Sequence, residues 1–160
     1  MVDFKKDTWI YILIAAILAL ISIFTPVGTI TASLSPYKDS SVWFSGSILY
    51  NADFDPEWFG AGAATIWTLA ITCMSIAILL FYGIHNMKGM EFKWDWLFYV
   101  LIGIALIIFP ILMLVYDLDS AQFGQMSVGF APIGILISGI LCIGAFALEK
   151  FGDRIGGAEA

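Results

Sequence analysis

The run Trp96-Leu-Phe-Tyr-Val-Leu-Ile-Gly-Ile-Ala-Leu-Ile-Ile-Phe-Pro-Ile-Leu-Met-Leu-Val-Tyr116 contains no charged residue. A bilayer core of about 30 Å takes roughly 20 mainly apolar residues as helix, and this run has that length. Three further uncharged stretches surround it: Thr8 to Tyr37, Trp58 to Ile84 and Ala121 to Leu148. Backbone amides find no water in lipid, so a helix, which bonds them internally, is the economical way for such stretches to cross. The expected fold is an all-α membrane protein, a four-transmembrane-helix bundle forming one domain over residues 1–160. Its helices are expected near 8–26, 59–85, 95–116 and 126–149, with an outer segment over about 27–58.

Composition agrees. Hydrophobic residues make up 61% of the 160-residue chain and charged residues 12%, about half the charged share of a soluble domain. The net charge of -6, with basic residues scattered near helix boundaries, is no nucleic-acid footprint. Cys73 and Cys142 both fall inside expected helices and read as small apolar residues rather than a disulfide. Lys5 and Lys6 precede an apolar run, as in a secretory signal. That run, Trp9 to Phe24, is long for a signal and no small-x-small cleavage site follows, so it is expected to remain as a membrane helix.

The connections are asymmetric in charge. Lys5 and Lys6, Lys88 and Lys93, and Lys150 and Arg154 fall on one side of the expected helices. Asp39, Asp53, Asp55, Glu57, Asp117 and Asp119 fall on the other, against a single Lys38. The positive-inside rule therefore expects a multi-pass protein of the cell membrane with both termini cytoplasmic. Trp9, Trp94 and Trp96 at the inner edge and Trp58 at the outer one read as an aromatic belt.

Two seams are legible on the second helix. Ala63, Ala70 and Ala77 are seven apart, a spacing that suits close helix packing, while Thr65, Thr68, Thr72 and Ser75 form a hydroxyl stripe. The stripe reads either as hydrogen bonding to backbone and neighbouring helices or as the lining of a wet pathway. Ala15, Ala19 and Ser22 on the first helix, and Gly134 with Ser138 on the fourth, are further packing positions, followed by Gly139 and Gly144. Pro110 is expected to kink the third helix, and Pro132 lies in the first turns of the fourth.

No Asp, Glu, Lys, Arg or His lies inside an expected helix; His85, Asp95, Asp117 and Glu149 are near the ends. Proton relays, pumps and voltage sensors rest on such intramembrane charges. Haem, metal, nucleotide and hydrolase signatures are missing too, so no catalytic residue, cofactor or metal site is expected.

The outer segment carries what specificity the chain has. Val27 to Leu34 alternates, Val42 to Tyr50 is rich in aromatic and branched residues, and Ser35 to Ser41 is turn chemistry, a β-hairpin pattern. Asn51 to Phe59 returns the chain to the second helix, with Pro56 in its first turn. Trp43, Phe44, Tyr50 and Phe54 are the candidate partner-binding residues, their alternative being packing on the helix tops. Trp58 and Phe59 read as headgroup-depth aromatics. Asp53, Asp55 and Glu57, with Asp117 and Asp119, are an acidic rim; the ordered ligand positions and glycine of an EF-hand loop are missing.

Four helices, internal termini, a large strand-prone first outer segment and a small second one resemble the claudin and peripheral myelin protein superfamily. Val42-Trp43-Phe44-Ser45-Gly46 looks like the tryptophan-bearing strand of the claudin first loop. The full family signature has a Gly-Leu-Trp run followed by two loop cysteines, and this segment has no cysteine. The resemblance implies a non-catalytic protein that assembles laterally in the bilayer, as a homo-oligomer or with other membrane proteins, and recognises a partner through its first outer loop. The expected function is adhesion, lateral assembly or membrane organisation. An accessory subunit of a larger membrane complex is the alternative, and a cation channel built on the hydroxyl stripe is the third.

Overall fold

The computed structural model describes residues 7–32, 40–50, 56–60, 62–90, 92, 94–118 and 124–156. It is mostly helical: α1 (Thr8–Ile23), α2 (Ala63–Met87), α3 (Asp95–Met113) and α4 (Phe130–Gly156). Five strands complete it: β1 (Gly28–Ala32), β2 (Ser40–Trp43), β3 (Gly46–Tyr50), β4 (Pro56–Gly60) and β5 (Gly124–Val128). The strands form one sheet in the order β4-β3-β2-β1-β5, every neighbouring pair antiparallel. Because β1 follows α1, β4 precedes α2 and β5 precedes α4, the sheet caps one end of the bundle. The amino end of α1 and the carboxyl end of α4 lie at the other.

Among the described residues, three segments are long and apolar enough to cross a membrane: Ala63–Met87, Asp95–Tyr116 and Phe130–Phe151. The first helix is shorter than expected, with 16 residues, or about 24 Å of helix. Its end is local chemistry. Pro26 disfavours helical backbone at Thr25, and the last turn closes through Phe24 N–H to Ile21 O and Thr25 N–H to Ser22 O. The Thr25 hydroxyl donates to the same Ser22 carbonyl at 2.8 Å.

The core runs between the helices. On α1 the buried residues Ile12, Ala15, Ala16, Ala19 and Ser22 recur at helical spacing, and they are small where α4 approaches. Gly103 of α3 and Gly139 of α4 mark another close crossing: a Cβ on Gly139 would stand 2.8 Å from the Gly103 carbonyl oxygen. Without a hydrophobic drive between helices in lipid, such backbone proximity is what gives dispersion its strength. Pro110 lacks the N–H that would bond the Leu106 carbonyl, and three residues beyond it α3 passes into a π-helical turn at Leu114–Leu118.

Three boundaries differ from expectation. The stretch 42–50 is two strands, not one, because Phe44-Ser45 turns the chain and Gly46 takes φ 130° opposite Trp43. Pro56 to Phe59 belongs to the edge strand β4 instead of the first turn of α2, which starts at Ala63; proline is tolerated on an edge strand. The segment from Gly124 to Val128 forms β5 before α4 begins at Phe130, since five residues there pair with β1. The sheet is thus larger than the hairpin expected, and α4 runs on to Gly156.

Candidate functional site

The sheet is mounted on the bundle at the junction of α1 and α4. Val27 N–H donates to Val42 O at 2.7 Å, Gly129 N–H to Val27 O at 2.8 Å, and Ala131 N–H to Pro26 O at 3.2 Å. A side chain at Gly129 would run into the Pro26 carbonyl, so the two segments meet at backbone distance. Further along, Thr29 stands opposite Ser127 and their hydroxyls hydrogen-bond. Strand β1 therefore continues from α1 and β5 leads into α4, the two being hydrogen-bonded along their length.

The candidate partner-binding residues separate on this platform. Trp43 is 41% exposed, whereas Phe44, next in the chain, is 4% exposed and belongs to the hydrophobic core with Val27. Phe44 is therefore packed in the core, the alternative weighed for it, while Trp43 stands exposed beside it. Tyr50 lies in β3, and Phe54 falls outside the described residues. Of the acidic rim, Asp53, Asp55 and Asp119 also fall outside them, and Glu57 lies in β4. Among the described residues no group of three His, Cys, Asp or Glu could hold a metal.

The two seams of α2 face opposite ways. Thr65, Thr68, Thr72 and Ser75 are buried, while Ala63, Ala70 and Ala77 are exposed. Both stripes were expected to meet neighbouring helices; within this chain the hydroxyl stripe is the one that is buried. A hydroxyl facing hydrocarbon loses its partners, whereas a methyl loses nothing, so the polar stripe turns inward. The Thr68 hydroxyl proton is shared between Ala64 O at 2.8 Å and Phe109 O of α3 at 3.0 Å, beside Pro110. Thr72 donates to Thr68 O at 2.7 Å. The hydroxyls of Thr68 and Thr72 are thus engaged with backbone carbonyls. On α4, Gly134 and Ser138 are both buried: Gly134 packs against Ser22, and the Ser138 hydroxyl donates to Gly134 O at 2.9 Å.

The opposite end carries a cluster of aromatic rings. The His85 ring packs on Phe81 and Phe92, with centroids 4.8 and 5.0 Å away. Tyr82 bridges from Phe81 and Phe92 to Phe98, and the Lys150 ammonium sits 4.6 Å above the Trp96 ring. Behind these rings, the Asn86 amide donates to the fully buried Tyr99 hydroxyl at 2.6 Å, and Asp95 is buried one turn before Tyr99. Sequence reading passed over this polar group because each member stands near a helix end. The signal was Asp95 four residues before Tyr99, a spacing that sets both on one face. Cys142 is buried and Cys73 exposed, both as free thiols.

Comparison with protein-family models, with curated proteins and with solved structures gives no match to this chain.

Proposed function

We propose that the chain is a four-span integral membrane protein, with no catalytic role, whose sheet-bearing end mediates self-association or partner binding outside the cell. The observation that carries this is Trp43: a large apolar side chain, 41% exposed, on a sheet bonded into the α1–α4 junction. A rigidly mounted aromatic loses little freedom on contact, which is why exposed tryptophans serve as anchors in interfaces. Membrane insertion is supported by the bundle's own surface, where Ile17, Trp67, Met74, Leu101, Ile108 and Ile140 point outward. The fourth helix of the proposed set, α1, is apolar and covers about 24 Å of that thickness. Lys88 and Lys150 lie at the end opposite the sheet, which supports cytoplasmic termini and an external sheet.

The test is Trp43→Ser in the protein extracted into mild detergent. Loss of the self-associated or partner-bound species with an unchanged melting temperature is the expected result; unchanged association would overturn the reading. A second reading, an accessory subunit, is favoured by the outward alanine seam of Ala63, Ala70 and Ala77, a surface on which a helix of another subunit could pack closely.

A further inference from the structure

At the end of the bundle opposite the sheet, two oxygen acceptors are buried with nothing to satisfy them. Asp95 opens α3 and is 3% exposed; its Oδ2 accepts the Phe92 N–H at 3.2 Å, but its Oδ1 has no hydrogen-bond partner. Asn86, near the carboxyl end of α2, spends its amide N–H on Tyr99 at 2.6 Å, which leaves its Oδ1 buried and equally unpartnered. Tyr99 lies one helical turn beyond Asp95, on the same face of α3. Asn86 and Tyr99 thus join the two helices, and the Asp95 carboxylate stands one turn from Tyr99 on the same face.

The surplus is one of acceptors and of negative charge. The Asp95 carboxylate is the charged member of the three, and it is 3% exposed. Among the described side chains, Lys88 is exposed, Lys150 covers the Trp96 ring, and the His85 ring is stacked on Phe81. A buried carboxylate with an open lone pair calls for a counter-charge, because its hydration has been given up. Oxygen ligands of this kind select hard cations, and the described residues offer no sulfur or imidazole set that would favour a transition metal.

We propose that Asp95 Oδ1, Asn86 Oδ1 and the Tyr99 hydroxyl oxygen form a binding site for a small alkali cation of the sodium class. The cation bridges α2 and α3 at the inner membrane boundary and locks their ends together.

The test is thermal unfolding of the full-length protein in detergent micelles, in sodium chloride against choline chloride at equal ionic strength. The melting temperature rises saturably with sodium, as for any ligand that binds only the folded state. In Asp95→Asn, which keeps an acceptor for the Phe92 N–H, and in Asn86→Leu, the sodium midpoint moves up by roughly tenfold or more, the scale of one lost charge-assisted contact. A wild-type melting temperature that is identical in the two salts would overturn the site, with a buried water or a carboxyl proton then filling the place. Should the variants not fold, ²³Na line broadening on the wild-type protein decides: excess broadening that excess lithium removes supports the site, and its absence overturns it.

Discussion

Adding one carbon at the crossing of α3 and α4 separates packing from helix propensity. A Cβ on Gly139 would lie 2.8 Å from the Gly103 carbonyl oxygen, 2.8 Å from Ile107 Cγ1 and 3.2 Å from Ile107 N. Ordinary Cβ contacts start at 3.4 Å, so the helices must part by 0.6 Å (3.4 less 2.8), and the backbone atoms cannot rotate away. On the same helix, a Cβ on Gly144 meets nothing within 4 Å. Both substitutions to Ala gain the same helix preference, so their difference isolates the overpacking, which costs about 1–3 kcal/mol. Unfolding in mixed micelles should therefore place Gly139→Ala below Gly144→Ala by that amount, with Gly144→Ala at least as stable as the parent. Gly103→Ala meets the Gly139 carbonyl oxygen at 3.0 Å, so the double variant with Gly139→Ala should cost less than the sum, one separation making room for both. If Gly139→Ala and Gly144→Ala agree within about 0.5 kcal/mol, the close crossing is wrong.

Three further outcomes follow from the contacts. Cysteines at Thr29 and Ser127, which face each other across β1 and β5, should cross-link on oxidation, joining the two segments at the sheet end; no cross-link would remove β5 from the sheet. Thr68→Val should cost about 0.6 kcal/mol, the typical worth of one interhelical hydrogen bond in a membrane bundle. A much larger loss, or any change in ion flux through reconstituted vesicles, would restore a pathway role to the stripe. Phe44→Ala should destabilise by about 3–5 kcal/mol as a buried aromatic truncated in the core, while Trp43→Ala stays within about 1 kcal/mol, as calorimetry or chemical unfolding would show.

The helices were legible because charge-free runs of this length have few other uses, and the described bundle follows them. Their ends were not, for a physical reason. Hydropathy scores Trp58 and Phe59, or Met126 and Val128, as it scores a helix, although these residues stand in strands whose partners lie elsewhere in the chain. Pairing across about a hundred residues, as between Gly28 and Val128, leaves no local mark. On α2 both stripes could be read from spacing, but spacing alone does not say which one faces inward; the Phe109 carbonyl beside Pro110 gives Thr68 its reason to turn inside. Trp43 and Phe44 were read as a pair, and only the turn at Gly46 separates the exposed ring from the buried one. Asp95 resembled an ordinary boundary charge, since sequence shows its place at the helix start but not its burial.

The most direct measurement on the assembling role is native mass spectrometry of the protein released gently from its own membrane. A single oligomer or ladder of self-copies, lost in Trp43→Ser, is what this account predicts. One copy held beside different subunits, unaffected by Trp43→Ser, would contradict it and assign the function to the complex that the chain supports.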